Sequence, residues 1–581
     1  MTRVHHGRRA PESSRDGSGS GARVSREEER DGRARPGHRP GGPLGRLARP
    51  LLRRLPLALP LYLLAGTTGV LAVLPLGHVV YQALSAGPAA LAETLLRART
   101  LQLLGNSLGL TATVTCASLV VGVALALLVG RVRLPGGRVW ALVATLPLAI
   151  PSYVAAMVWV EALPQLRGFA GSAIVLTLCC YPYVFLPVSA ALRRSDRDQE
   201  EVARSLGRGP VHVLLRVTLR HVQPSAAAGA LLVALYVLSD FGSVATMRYD
   251  TFTRVIYNDF RNRFDLASAA SLSLVLVAVT LSVLWAEARA RGRARFSRLG
   301  SGSTRSRPPL DPAGRLARHL VRNRRPAAAA LVRGAVGALL VLPFAAVAAG
   351  ALVFPVVMLG YWIARGSSAV FDPQRMAETA LTTLGLSALA AVVTLVLALP
   401  VGILAARHRG RLPRLLEGAT WTGYSMPGVV VAVAFVYFAV TYAYPLYQRT
   451  PLLVLAYALL FLPAAVGSVR SAVAQSPPAL EEVGRSLGHS APRVFGGVTL
   501  PLAFPGLAAG ATLVFLTCMK ELPVTLMLHP TGTETIAMRL WSATNVGRFA
   551  AAAPYAMMLI VLASVPAFVL GRWAAERRDE P

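Results

Sequence analysis

The chain has 581 residues, 54% of them hydrophobic and 15% charged, with mean hydropathy +0.51 and a formal net charge of +32. A soluble protein of this size carries about 25% charged residues, so the composition excludes an ordinary soluble domain and implies a polytopic membrane protein. The positive charge is nearly all arginine, gathered in a tail, a linker and short loops, which fits anionic lipid and membrane topology better than nucleic acid.

In chain order, residues 1–55 form a basic tail rich in Arg, Gly, Ser and Pro, expected to be disordered and cytoplasmic. Apolar runs then predict spanning helices near Leu57–Leu84, Leu103–Gly130, Val139–Leu163 and Ser172–Leu192. A polar segment, Gln199–Ser225, is followed by runs near Ala226–Thr246 and Ala267–Trp285. Together these make a first half over residues 56–288. Residues 289–326 read as a basic linker with Gly-Ser and Arg-Pro-Pro elements. The second half, 327–574, repeats the plan with runs near Ala327–Ile363, Thr379–Ala406, Thr420–Tyr444 and Leu452–Val473. A second polar segment, Leu480–Gly506, precedes runs near Gly506–Leu528 and Ala551–Arg572, and 575–581 form a short end. The count is about twelve helices, six per half.

The two polar segments are copies. Glu200, Glu201, Val202, Arg204, Ser205, Leu206 and Gly207 recur 281 positions later as Glu481, Glu482, Val483, Arg485, Ser486, Leu487 and Gly488. Val217, Thr218, Leu219 and Pro224 recur as Val498, Thr499, Leu500 and Pro505. Upstream, Asn106–Leu110 parallels Thr382–Leu386 and Pro151 parallels Pro427, both at a spacing of 276. Pro182 and Pro463 are again 281 apart, so five residues entered the second half between the prolines, expected in a loop around Tyr442–Pro451. Equal helix counts make this a parallel repeat about an axis along the membrane normal. Arginine placement puts the tail, both polar segments, the linker and both termini in the cytoplasm. Met247–Asp265 and His529–Phe549 then lie outside.

Within each polar segment a Glu pair precedes a small residue, Ala203 or Gly484, and a glycine four positions on can end one short helix and release another at an angle. The small residue is expected to admit a partner's groove. The pattern resembles the EAA loop of type I ABC importer permeases, E-A-A-x3-G-x9-I-x-L-P. Glu201-Val202-Ala203 with Gly207, Val217 and Leu219 carries it once. Glu482-Val483-Gly484 with Gly488, Val498, Leu500 and Pro501 carries it again. Alanine is replaced at one position in the first copy and two in the second, and Arg220 stands where the first copy would end in proline. The alternative is a pair of amphipathic interfacial helices that only anchor loops.

The resemblance implies an all-α polytopic membrane protein of about 12 transmembrane helices, built as two tandem homologous type I ABC permease halves. It implies that Glu200, Glu201, Ala203, Gly207, Glu481, Glu482, Gly484 and Gly488 couple to two copies of a separate ABC ATPase subunit. An extracytoplasmic solute-binding protein would deliver substrate, in a cell inner (plasma) membrane. No cofactor would be bound directly, and ATP would be used by the partner subunits; the chain lacks a G-x-x-x-x-G-K-[ST] phosphate loop. Fusion of both halves resembles the ferric-iron importer permeases, and also the thiamine ones. Ser239–Phe260 and Lys520–Ala556 look like the iron group, with thiamine, phosphonate or polyamine import left open.

Readings from other classes also stand at this point. A secondary transporter would show repeated halves and broken helices, but would run without ATP. A membrane enzyme needs a polar catalytic cluster, whereas His5, His6, His38, His221, His319 and His408 are scattered in the tail and basic loops. The four cysteines, Cys116, Cys179, Cys180 and Cys518, all fall in apolar runs without metal-ligand spacing. Asp240 and Glu521, 281 apart, are expected inside apolar helices, each two residues before a helix-disturbing Gly242 or Pro523. About 14 residues at roughly 1.5 Å each places them ~21 Å from the cytoplasmic end. Ionisable groups at such depth face a partner or a watery cavity. Two readings remain: the carboxylates line a translocation path for a hard cation, or they satisfy backbone donors freed by a break, with Lys520 neutralising one of them.

Overall fold

The computed structural model describes residues 43–85, 87–132, 134–193, 198–263, 265–291, 326–366, 371–408 and 410–576. Most of the expected tail, nearly all of the linker and residues 577–581 lie outside the described residues. The segment ending at Pro56 forms a unit of its own, and Leu57–Pro581 forms the other. The second unit carries the membrane-crossing helices.

Among the described residues, ten helices are long and apolar enough to cross a membrane, and two bent pairs bring the number to twelve if each is one span. In the first half, spans 1 and 2 are Leu59–Ser85 and Ala98–Arg131. Span 3 is the bent pair Val139–Ala149 with Ser152–Ala162, and spans 4 to 6 are Phe169–Arg193, Leu214–Ser239 and Ala267–Glu287. In the second, spans 7 and 8 are Gly334–Arg365 and Pro373–Arg407. Span 9 is the bent pair Arg411–Ser425 with Gly428–Tyr442, and spans 10 to 12 are Thr450–Gln475, Ala491–Met519 and Phe549–Pro566.

Spans 3 and 9 correct the expectation of two straight helices. They bend by 90° and 105°. Pro151 and Pro427 sit at the bends with extended backbone, and each supplies no N–H to the turn before it. Spans 5 and 11 also stop short of the expected runs, at Ser239 and Met519, and short helices Gly242–Thr246 and Pro523–Leu528 follow. The five inserted residues are a correction too. They mainly lengthen a helix: Ser152–Ala162 has 11 residues and its counterpart Gly428–Tyr442 has 15. The inserted sequence is apolar enough to stay helical rather than loop out.

Inside each half, span 5 or 11 lies tightly on span 4 or 10 through glycines 281 positions apart. A Cβ on Gly229 would fall 2.7 Å from the Tyr183 carbonyl oxygen, and one on Gly510 would fall 2.6 Å from Ser468 Cβ. Such contacts suit helix pairs in lipid, where close backbone approach replaces the hydrophobic effect.

The halves do not pack as two self-contained bundles. Span 1 lies on the second half: Thr68 Oγ1 donates to Leu397 O at 3.2 Å, and Thr422 Oγ1 donates to Ala72 O at 2.9 Å. His78 sits among Tyr437, Phe438 and Tyr442, with ring centroids 6.0–6.3 Å away. Reciprocally, span 7 lies on the first half, where Trp140 meets Phe344 and Trp159 meets Phe354 at 6.1 and 4.7 Å. Both buried cores therefore contain residues of both halves.

Candidate functional site: two anchored polar segments and two broken spans

Each polar segment folds as a short helix, Asp198–Ser205 or Pro478–Ser486. Both end the same way. Gly207 and Gly488 adopt φ of +76° and +83°, a region that costs a side-chain-bearing residue roughly 1–2 kcal/mol. Arg208 N donates to Ala203 O at 3.1 Å and Gly207 N to Arg204 O at 2.9 Å. His489 N donates to Gly484 O at 3.2 Å and Gly488 N to Arg485 O at 3.0 Å. This pair of bonds closes the last carbonyls of the helix and turns the chain toward the next span.

The first glutamate of each pair points inward. Glu200 is 5% exposed. Both Arg131 terminal nitrogens bind its carboxylate, one of them at 3.0 Å, and Thr218 Oγ1 donates to it at 2.8 Å. Arg204 adds a longer contact at 3.8 Å. Glu481 repeats the set. Arg407 Nη2 donates to its Oε1 at 2.6 Å and Thr499 Oγ1 to the same oxygen at 2.8 Å, while Arg407 also reaches Ser476 O at 3.0 Å. A carboxylate mostly shielded from water and held by a guanidinium and a hydroxyl is strongly oriented. These glutamates tie the segment to the end of span 2 or 8 and to the start of span 5 or 11.

The second glutamate of each pair points outward. Glu201 and Glu482 are exposed, beside Val202 and Leu206 or Val483 and Leu487. Leu206 and Leu487, just past the helix ends, are 74% and 71% exposed, suited to a protein partner. In the second segment the small residue does not face outward, contrary to expectation. Gly484 is buried, and an added Cβ would meet Val494 Cγ2 at 3.0 Å, so the small side chain permits packing on the chain's own next turn.

Farther along, both broken spans turn on a carboxylate. Asp240 Oδ2 accepts from Ser243 N and Val244 N at 3.0 and 3.3 Å, and Oδ1 accepts from Ser152 Oγ of span 3. Glu521 Oε2 accepts from Val524 N and Thr525 N at 3.0 and 3.2 Å. Each carboxylate thus caps the short helix after its break, where backbone donors have no helical partner. Both lie at breaks and not inside continuous helices. The counterpart of Ser152 is Gly428, and a Cβ there would come 2.6 Å from Glu521 Oε1, so the longer acid faces a residue without a side chain. Lys520 does not pair with Glu521; its Nζ donates to Leu148 O at 2.9 Å. Glu521 also borders a cavity of about 10 Å³, room for about one water molecule, with Ser387, Tyr457 and Thr535.

Two half-chain units, each with a repeated segment at the same place, are what the comparisons match. The family described as binding-protein-dependent transport system inner membrane component covers residues 122–291 and again 398–577. The chain belongs to this family. The permease is 33% identical to an Fe(3+)-transport system permease protein of Haemophilus influenzae over 516 residues, 88% of this chain and 98% of the relative. It is 27% identical to a probable molybdenum ABC transporter permease protein of Haloferax volcanii over 32% of this chain and 72% of that one. It is 30% identical to a putrescine transport system permease protein of Escherichia coli over 23% of this chain and 52% of that one. Family and helices make it a multi-pass membrane transport subunit that works with an ATPase and a substrate-binding protein, not a secondary transporter.

Two residues of the permease's polar anchors escape a reading of the polar segments alone. Arg131 and Arg407 lie outside them, yet stand 276 positions apart, the spacing already carried by Pro151 and Pro427. Basic residues at one repeat position in both halves are the signal that finds them.

Proposed function

We propose that the permease imports ferric iron, taken from a solute-binding protein on the outer side and released to the cytoplasm. The observation that carries this reading is end-to-end similarity. The iron-transport relative aligns over 88% of this chain, whereas the molybdenum and putrescine relatives align over 32% and 23% of it. Both termini would be cytoplasmic, in line with the basic stretches at the chain's ends.

On this reading two ATPase copies dock on the exposed faces Glu201-Val202-Leu206 and Glu482-Val483-Leu487, and they alone hydrolyse ATP; the permease binds no cofactor directly. Glu200, Glu481, Ala203, Gly484, Gly207 and Gly488 act one step behind, fixing the docking helices to spans 2, 5, 8 and 11. Motion of an ATPase then reaches the breaks through spans 5 and 11, which start at the docking helices and end at Asp240 and Glu521. The path would run between the two breaks, where carboxylate oxygens suit a hard cation.

The test is uptake of radioactive iron by proteoliposomes holding permease, ATPase and binding protein. Iron uptake that requires ATP and survives excess thiamine, putrescine and phosphonate is the expected result. Stimulation of ATP hydrolysis by one of those ligands with its binding protein, and none by iron, would replace the iron reading.

A further inference from the structure

Lys520 is the only lysine in the chain; the other 59 of its 60 basic Lys and Arg residues are arginine. It stands at the break of span 11, directly before Glu521, and is half-buried. Its ammonium crosses to the other half and donates to Leu148 O at 2.9 Å. Leu148 belongs to the tight turn Leu146–Ala149 just before the bend of span 3. In that turn Ile150 N donates to Pro147 O at 3.1 Å. The same register would next bring residue 151 to Leu148 O, but Pro151 has no N–H to give. Lys520 supplies the missing donor from the opposite half.

Repeat symmetry sharpens the point. The residue 281 positions before Lys520 is Ser239, uncharged and far shorter. The seam between halves therefore carries this tie on one side only. An ammonium is a compact point charge on a flexible stem, whereas a guanidinium is a broad planar fork. A chain that uses arginine everywhere else keeps the compact cation where a single carbonyl is the target. Two other contacts between the halves near the breaks are softer: Phe241 lies 5.2 Å from Trp541, and Thr544 Oγ1 lies 3.1 Å from Met157 S.

We propose that Lys520 is a positioning residue that latches the two halves across the cargo path in the resting permease, through its bond to the Leu148 carbonyl left open by Pro151. Breaking this bond accompanies opening of the path between the two breaks. The proposal rests on a cargo path running between those breaks, but not on which cargo is carried. A charge-assisted bond of this kind can bias a two-state equilibrium by on the order of tenfold.

The uniqueness of Lys520 supplies the experiment. Permease made alone on lysine 15N-labelled at its side-chain nitrogen carries one labelled side chain, and unlabelled ATPase is added before reconstitution. Solid-state NMR of the Nζ signal is recorded for the permease–ATPase complex in liposomes, resting and then trapped with ATP and vanadate. A shift between the two states is expected; an identical signal in both overturns the latch. In parallel, Lys520→Met should raise ATP hydrolysis in the absence of binding protein roughly tenfold, with the assembled complex recovered in normal amount. Lys520→Arg should share the defect in part, since a planar fork fits one carbonyl poorly. Hydrolysis by Lys520→Met equal to that of the unaltered permease also overturns the proposal. If Lys520→Met fails to assemble, the NMR result decides alone. Loss of iron uptake with another cargo carried instead would remove the iron reading while leaving both latch readouts unaffected.

Discussion

The two halves of the permease agree at one end and differ at the other. At the polar segments the same three side chains meet twice: Arg131, Glu200 and Thr218, then Arg407, Glu481 and Thr499. The helices stop at the same glycine with the same pair of backbone bonds. At the breaks the halves have diverged. Ser152 with Asp240 becomes Gly428 with Glu521, and Ser239 becomes Lys520. Two identical ATPase copies would each need the same docking helix, which holds the polar ends alike. A single cargo passing a single seam imposes no such symmetry, and the break residues have changed in compensating sets.

The largest effect expected from this comparison comes from the anchors. Glu200→Ala leaves the Arg131 guanidinium half-buried without its carboxylate, and Glu481→Ala does the same to Arg407. Removing one partner of a buried pair costs about 3–5 kcal/mol, discounted here because Arg131 is 22% exposed. Each variant should lose ATPase co-purification, and to the same degree. A severe loss from one and none from the other would break the equivalence of the halves.

A second, smaller effect tests compensation at the breaks. Gly428→Ser pushes a side chain into Glu521 and should destabilise the permease by about 1–3 kcal/mol. Pairing it with Glu521→Asp, which copies the first half, should recover most of the loss in a thermal unfolding scan. Additive losses would mean that the two residues do not act as a set. By the same cap geometry, Asp240→Asn keeps an acceptor oxygen and should cost little. Asp240→Ala should cost about 0.5–2 kcal/mol, the range for removing a helix cap.

The smallest effect is at the helix ends. Gly207→Ala and Gly488→Ala each force a side chain into positive φ, for a loss of roughly 1 kcal/mol. Equal shifts in melting temperature are expected. A neutral Gly207→Ala would show that the first segment is less firmly held than its copy.

Much of this was legible in the sequence because the chain is written twice. The repeat located the polar segments, and the glycine four residues after Ala203 or Gly484 located their ends. Apolar length gave the number of spans. It could not give their shape: a hydropathy window sees the same run on both sides of Pro151 and is blind to a 90° bend. Nor could it give partners for spans 1 and 7. A helix apolar on most faces fits any apolar neighbour, and only contacts such as Thr68 to Leu397 choose the other half. The small residue Gly484 was misread for a related reason. Smallness signals close packing but not with whom, and Gly484 packs on Val494 of its own chain. Lys520 beside Glu521 suggested a local ion pair from adjacency alone, yet the side chain points the other way.

On the proposed reading the buried glutamates hold the docking helices while the exposed faces hold the ATPase subunits. Native mass measurement of the permease co-expressed with its ATPase separates the two roles. Glu201→Lys with Leu206→Asp alters the first exposed face, and Glu482→Lys with Leu487→Asp the second, without touching either anchor. Like charge placed against a close interface costs several kcal/mol. Two ATPase copies are expected on the unaltered permease, one when either face is altered and none when both are. Two copies retained with both faces altered would contradict it.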